Sequence, residues 1–325
     1  MKLIVTIPAY NEAKSIAEVI HSIPRHIKGI SKVEVLVLSD GSTDGTEEVA
    51  RQAGADHVVR NKKNLGLAKT FDKALQTAVK LGADIIVNTD ADNQYDQAEI
   101  PLLLQPIFDG EADMVMGDRQ VDTLDWMVPA KQYGNRMGSW LVRKVSGVDF
   151  KDASSGFRAF TRECAQSFTL LAAHTYTHET ILQAGQKNLA VKEVPITFRR
   201  RTEGQSRLIS NVFSHVKKSL ATISRSILMY NAFGVLLRIG SVMMLLGIII
   251  GGRFVFFYLE GTGTGHVQSL ILSSMLIILG CNTIFLGVIA DLISHNRKIL
   301  ESLYARDNRD NRDNRDSRDT RDTLK

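Results

Sequence analysis

Along the N-terminal part of the chain, short apolar runs alternate with amphipathic stretches. Runs rich in Val, Ile and Leu at 2–7, 33–39, 57–59, 84–89 and 113–116 read as strands. Between them, 13–23, 46–52, 67–81 and 97–108 repeat apolar residues at three- and four-residue steps, which predicts helices with one buried face. Strand–helix alternation at this spacing predicts an α/β domain, a mostly parallel sheet with helices on both faces. Ligands in such sheets bind beyond the carboxyl ends of the strands. The polar clusters 8–12, 40–46 and 90–94 follow the first, second and fourth runs, so three distant segments are expected to meet at one sheet edge.

The pattern changes after residue 207. Ile209, Val212, Phe213, Val216, Leu220, Ile223 and Ile227 form one helical stripe, with Lys217, Lys218 and Arg225 off it. A basic amphipathic helix of this kind lies on a lipid surface; a helix packed on its own domain is the alternative. Two long apolar runs follow, 239–259 with Arg253 as its single charge and 267–290 with none. A bilayer-spanning helix needs about 20 such residues, and a buried soluble hairpin is the competing reading. Lys217, Lys218, Arg225, Arg238, Arg297 and Lys298 flank the outer ends, and the turn at 260–266 has no Lys or Arg. The positive-inside bias then puts the N-terminal domain and both termini in the cytoplasm. Beyond 305 the chain repeats Arg-Asp-polar, which buries nothing and is expected to be disordered. The expected organisation is 1–207 catalytic domain, 208–232 juxtamembrane amphipathic helices, 233–259 and 267–292 transmembrane helices, and 305–325 tail.

Composition adds limits. A chain of 325 residues accommodates one α/β domain plus extra elements. The net charge of +5 is modest and its cations sit beside the apolar segments, which favours a bilayer and not nucleic acid as partner. Cys164 and Cys281 make neither a disulfide framework nor a metal cluster. The first apolar run ends at Pro8, too short for a signal peptide.

Asp90-Ala91-Asp92-Asn93-Gln94 carries the sharpest chemistry, directly after the apolar run 85–88. Two carboxylates one residue apart repel a diphosphate unless a divalent cation bridges them, and an all-oxygen set with Gln94 selects Mg²⁺ or Mn²⁺. A solvated turn is the bland reading of the same residues. Pro8, Tyr10 and Glu12 offer a stacking face and an acceptor for a nucleobase, while Asn11 and Glu12 equally suit a helix entry, with Asn11 as N-cap. Asp40 is placed for base or ribose, and Lys69 stands near enough to help with the nucleotide. His174, His178 and Glu179 are not in zinc-peptidase order; Glu179 is a candidate for sugar hydroxyls.

Together, Ile-Pro-Ala-Tyr-Asn-Glu at 7–12, Ser-Asp-Gly-Ser-Thr-Asp-Gly-Thr at 39–46, Asn-Leu-Gly at 64–66 and the 90–94 cluster resemble the family 2 inverting glycosyltransferases. Met-Gly-Asp-Arg at 116–119, Asp-Ala-Ser-Ser-Gly-Phe-Arg at 152–158 and Gly-Gln-Ser-Arg at 204–207 narrow the likeness to the polyisoprenyl-phosphate glycosyltransferases. It covers roughly residues 2–230. Gly-Asp-Arg stands where that family often has Gly-Ser-Arg, Gly-Gln-Ser-Arg where it often has Gly-Glu-Ser-Lys, and 131–136 matches loosely. The resemblance implies a GT-A fold, a metal on Asp90, Asp92 and Gln94, and transfer with inversion from a nucleotide sugar.

In that reading the acceptor is a polyprenyl or dolichyl phosphate, a monoester whose second pKa of about 6 makes it a ready nucleophile without a strong base. Arginines suit the clamping of two phosphates. The candidates are Arg119, Lys131, Arg136 and the run Arg199-Arg200-Arg201, with Arg119 and Arg201 in matched motifs and Asp152 set to orient sugar or acceptor. A polysaccharide or glycolipid acceptor, and a non-catalytic nucleotide-sugar-binding scaffold, are the alternatives. A second copy of the chain is an admissible partner. A channel is not, since nearly charge-free helices offer no polar path.

Overall fold

The computed structural model describes residues 1–170, 176–200, 232–261 and 267–322. The chain divides into two compact units, Met1–Ile223 and Ser224–Lys325. In the first, the strands are β1 (Lys2–Ala9), β2 (Lys32–Ser39), β3 (His57–Arg60), β4 (Ile85–Asn88), β5 (Met114–Asp118), β6 (Arg158–Thr161) and β7 (Val191–Pro195). They form one seven-stranded sheet in the order β3-β2-β1-β4-β6-β5-β7. β1 to β4 are mutually parallel, β6 runs antiparallel between β4 and β5, and β7 is parallel to β5. Helices are α1 (Ile16–Ser22), α2 (Thr46–Gln52), α3 (Leu67–Lys80), α4 (Ile100–Phe108), α5 (Pro129–Ser146), α6 (Arg162–Ser167) and α7 (Thr177–Gln186).

Leu3, Ile4, Val5 and Ile7 of β1, with Val35 to Leu38 of β2, are fully buried on both faces. That is the near-continuous apolar signature of a parallel sheet covered on two sides. Phe71, Ala74, Leu75 and Ala78 turn one stripe of α3 inward. Two strands escape the sequence pattern. β6 opens with the fully buried Arg158, and β7 alternates Val191-Lys192-Glu193-Val194 and is half-buried. The expected N-cap at Asn11 is also corrected. α1 starts later, at Ile16, and Asn11 adopts a left-handed φ of 54°.

The second unit holds α8 (Ala232–Leu259) and α9 (Val267–Asp322). Phe233–Leu259 and Val267–Ile293 are each long and apolar enough to cross a membrane, and large apolar side chains such as Ile249, Ile271 and Phe285 point outward. The helices touch through small residues: a Cβ on Gly240 would lie 2.7 Å from the Gly280 carbonyl, and Ser273 Oγ donates to the Gly247 carbonyl at 2.7 Å. Such small-residue faces let helix backbones approach closely in lipid. α9 continues through the Arg-Asp run, where composition predicts disorder. No Gly or Pro follows Gly287 in the sequence. The amphipathic stretch 208–230 and the turn at 262–266 lie outside the described residues.

Candidate active site

Register aligns the carboxyl ends of β1, β2 and β4, with Ala9 opposite Ser39 and Thr6 opposite Asn88. The loops beyond them are bonded to one another. Asn11 N donates to Ser42 Oγ at 3.0 Å and Thr43 N to Asn11 Oδ1 at 2.7 Å. Glu12 N donates to Thr46 Oγ1 at 3.0 Å and Ala13 N to Asp44 at 3.1 Å. Ser15 Oγ donates to the Ala91 carbonyl at 2.7 Å, joining the start of α1 to the acidic tip. The three polar clusters therefore share one edge, as expected. Buried Asp40 accepts from Asn61 Nδ2 at 2.9 Å, Leu65 N at 2.8 Å and Gly66 N at 2.9 Å, so it also holds the 64–66 turn in place. Pro8 is buried within β1, Tyr10 is exposed, Glu12 is half-buried, and Lys69 is exposed in the first turn of α3.

At the β4 tip, Asp90 and Asp92 flank buried Ala91. Asn93 takes a left-handed φ of 58°, and Asp92 Oδ1 accepts from Gln94 N at 3.2 Å, closing a tight turn. Gln94 Nε2 donates to the Arg199 carbonyl at 3.2 Å and Arg199 N to the Gln94 carbonyl at 2.7 Å, pinning the turn to 197–199. Gln94 Oε1 is then the atom this side chain can offer a cation. Among the described residues no three or more His, Cys, Asp and Glu side chains form a metal-ready group. The tip fits a hard cation that takes two protein carboxylates and fills its remaining positions with phosphate and water oxygens, the habit of Mg²⁺ and its like.

Asp90 faces Gly156 across the sheet. A Cβ there would stand 3.0 Å from both Asp90 carboxylate oxygens and 2.9 Å from Tyr176 Oη. Tyr176 is buried against Phe71, with ring centroids 3.7 Å apart, and its Oη accepts from Asn88 Nδ2 at 3.0 Å. Tyr95 Oη accepts from Gly156 N at 2.9 Å. Burial first, and then the Asp90 charge, push both phenols above their ordinary range. Gly156→Ala is expected to displace Asp90 and cost about 1–3 kcal/mol of stability by overpacking. Thermal melting, together with nucleotide-sugar affinity in Mn²⁺, checks this; unchanged values for both would refute it.

Beside the tip, the buried Arg119 guanidinium grips Asp152 with two contacts, Nε to Oδ2 at 2.6 Å and Nη2 to Oδ1 at 2.9 Å. Asn135 Nδ2 and Ser154 N also donate to Oδ1, at 3.3 and 3.0 Å. Glu193 on β7 accepts from the backbone N–H of Asp152 and Lys151 at 2.9 and 2.8 Å. Arg119 stacks over Phe198, 5.1 Å from its centroid. Burial works against the charge on Arg119, but Asp152 outweighs it and raises the guanidinium above its ordinary value, with Tyr95 and Asp90 adding to this. Arg119, a candidate for clamping phosphate, is thus paired with Asp152 beside the acidic tip. Fully buried Arg158 bonds the Ala153, Ser155 and Thr177 carbonyls and Thr180 Oγ1, fixing that loop against α7.

A cavity of about 610 Å³ opens on the Asp152 side, lined by Asp118, Tyr133, Arg136, Trp140, Arg143 and Lys151 among others. Arg136 reaches it while paired to exposed Asp122 at 3.1 Å. Lys131 is exposed at the start of α5. Arg199 is half exposed and pairs with Asp96, its backbone N–H bonded to the Gln94 carbonyl two residues before that acid. Arg201, Gly204 to Arg207 and His174 lie outside the described residues. Glu179 is buried in the first turn of α7, and its charge, after burial, pushes Asp72 up to about 6. Sequence reasoning missed Tyr95, Tyr176, Glu193 and Arg143. Tyr95 had a local signal, since it directly follows Gln94.

A mixed, mostly parallel sheet with loops joined at its carboxyl edge and an acidic strand tip beside a guanidinium–carboxylate pair is the arrangement of a glycosyltransferase of the GT-A type. The model of glycosyl transferase family 2 matches residues 4–168, and the chain belongs to that family. It is 30% identical over 259 residues to the low-salt glycan biosynthesis hexosyltransferase Agl6 of Haloferax volcanii, covering 77% of this chain and 61% of that protein. The chain therefore spans less than two thirds of that relative's length. A dolichyl-phosphate hexose transferase of the same organism is 30% identical, over 63% of this chain and 86% of its own. Glucosyl-3-phosphoglycerate synthase from Mycobacterium tuberculosis, solved with Mn²⁺, UDP and phosphoglyceric acid, shares the fold with a TM-score of 0.55 at 21% identity, over 69% of this chain and 78% of that one.

Proposed function

We propose that this chain transfers a hexose from a UDP- or GDP-sugar to a polyprenyl or dolichyl phosphate, with inversion, at a membrane surface. The observation that carries the reading is the pairing of two anion-handling regions across one buried ion pair. On one side stands the Asp90–Asp92 tip; on the other is a cavity edged by Arg136, Arg143 and Lys151. The first suits a nucleotide diphosphate and the second a phosphate monoester. Relatives named for hexose transfer to dolichyl phosphate support the acceptor class.

In this reading Tyr10, Glu12 and Asp40 hold the base and ribose, with Lys69 near the phosphates. Asp90 and Asp92, with Gln94 Oε1 beside them, would hold a divalent cation, which would supply the positive charge that a departing diphosphate needs. The acceptor phosphate, mostly a dianion at neutral pH, attacks the anomeric carbon without a general base. Arg136, Arg143 and Lys151, with Lys131 and Arg201, offset its charge, while Asp152, immobilised by Arg119, orients acceptor or sugar, and Glu179 contacts the sugar side. Catalysis is then mostly positioning and electrostatic stabilisation. α8 and the apolar part of α9 span the bilayer, with the catalytic unit and both termini on the cytoplasmic side.

The test is a panel of radiolabelled UDP- and GDP-hexoses offered to the full chain with a defined polyprenyl phosphate, with Mn²⁺ or Mg²⁺ and with excess EDTA. Sugar-linked lipid should form from one donor and cease in EDTA. Equal rates in EDTA would remove the cation from the reading, and transfer only to free sugars or polysaccharide would replace the acceptor.

A further inference from the structure

In the apolar part of α9 the hydroxyls near mid-span are satisfied. Ser273 Oγ donates to the Gly247 carbonyl of α8 at 2.7 Å, and Ser274 and Thr283 donate back to the Leu270 and Leu279 carbonyls at 2.9 and 2.7 Å. Asn282 stands apart from them. It is exposed near the middle of the span Val267–Ile293, and among the described residues its carboxamide makes no hydrogen bond. Hydrocarbon offers such a group no partner, and leaving it unsatisfied there is costly. α8 cannot supply the partner. α9 meets α8 through Ser273, Ile277, Gly280, Ile284 and Gly287, which recur at steps of four and three. Asn282 lies two residues past Gly280, about 200° around the helix, and so faces away from α8. The same spacing is repeated on that far side by Ile271, Met275, Ile278, Asn282, Phe285 and Ile289, all exposed.

We infer that this outer seam of α9 pairs, within the bilayer, with the same seam of a second copy of the chain. A carboxamide is its own complement: Nδ2 donates and Oδ1 accepts, so two of them close a pair of hydrogen bonds. Copies inserted the same way hold Asn282 at one depth, and a two-fold axis along the bilayer normal sets it opposite itself. A different membrane protein would need a polar side chain at that same depth; a second copy has one without further condition. Apolar residues at steps of four and three with a single Asn among them are the pattern by which a helix pair fixes its register and its number of strands. Acyl chains are as apolar as these side chains, so apolar contact alone gives helices little drive to associate in lipid, and the interhelical polar bond supplies the preference. α8 occupies the opposite face of α9, so the pairing leaves the hairpin contacts intact. The inference rests on the bilayer-spanning part of the function proposed above and not on sugar transfer.

Two batches of the full-length chain, one labelled at the N-terminal amine with a donor fluorophore and one with an acceptor, are reconstituted together in phosphatidylcholine vesicles. Energy transfer is followed as added lipid dilutes the protein. Transfer should persist on dilution and rise linearly with the acceptor fraction, as a dimer requires. Asn282→Leu should raise the protein-to-lipid ratio for half-association about tenfold, the scale of one interhelical hydrogen bond in lipid. It removes a polar group from hydrocarbon, so insertion is not put at risk. Asn282→Gln keeps donor and acceptor and should retain most of the association. Ser274→Leu, whose lost hydroxyl bonds only its own helix, should leave it unchanged. Equal association of Asn282→Leu and the unaltered chain would overturn the inference, since the contact would then lie elsewhere, the catalytic unit included. No transfer at any dilution in pure lipid would also overturn it; the occupant of the seam would then be lipid or another protein. Flotation of the vesicles after alkaline extraction separates the two readings. A chain that leaves the vesicles fails the bilayer reading and the pairing together, whereas one that stays and does not associate fails the pairing alone.

Discussion

Asp92→Asn is expected to lower turnover by about 10²–10³-fold, the scale on which removal of one preorganised electrostatic contact is felt, while the chain stays folded. Asp92 is half-buried at a turn, and the backbone bond it accepts from Gln94 N can also be accepted by an amide oxygen. The substitution is isosteric and removes only charge. What it takes away is one of the two carboxylates at the β4 tip, and with it the counter-charge for a divalent cation. Asp90→Asn should be at least as damaging, because Asp90 also faces Gly156 and Tyr176. Steady-state rates at saturating donor, with a Mn²⁺ titration, separate the two contributions. The cation concentration for half-maximal rate should rise along with the loss of turnover. A double Asn variant that transfers sugar at the unaltered rate would sink the metal reading.

That prediction was accessible from the sequence because two carboxylates shortly after Ile85-Ile86-Val87, past Asn88 and Thr89, stand at a strand end in a parallel sheet. β1 and β2 were equally legible, since burial on both faces demands unbroken apolar runs. The other half of the site was not, and the reason is topological. β6 enters the sheet antiparallel between β4 and β5 and so brings the 152–156 loop to the tips of both. Arg119 and Asp152, 33 positions apart, meet only through that insertion. The strand itself starts with an arginine whose donors are met by three carbonyls and a hydroxyl, an arrangement that no periodicity announces. α5 was illegible for a different reason. Of its large side chains Tyr133, Met137 and Trp140 are exposed and only Val142 is fully buried, so the rule that apolar stripes face inward assigns it little.

The Arg119–Asp152 pair gives the second large effect. Arg119→Met is expected to destabilise the catalytic unit by about 3–5 kcal/mol, the range for a buried charge stripped of its partner, and to abolish transfer. Asp152 would keep its bonds from Asn135 and Ser154 N but lose the guanidinium that makes its charge tolerable. The pH dependence follows from the same balance. Burial pushes the Asp152 carboxyl up, yet the Arg119 charge and hydrogen bonds outweigh this and hold it below the usual range. Stability from the pair is therefore complete above the ordinary carboxylate pKa of about 4, and it is lost as pH falls through the lower value of the folded state. In Arg119→Met burial is opposed only by the bonds from Ser154 N and Asn135, so the Asp152 carboxyl is pushed up relative to the unaltered protein, and acidification from neutrality relieves the uncompensated charge. The gap in thermal midpoint between the two proteins should accordingly narrow as the pH is lowered. Arg119→Met combined with Asp152→Asn should recover most of the lost stability at neutral pH and none of the activity, which separates the fold from the chemistry. A gap that is constant with pH, or a double variant no more stable than Arg119→Met alone, would show that the two side chains do not act as a coupled pair.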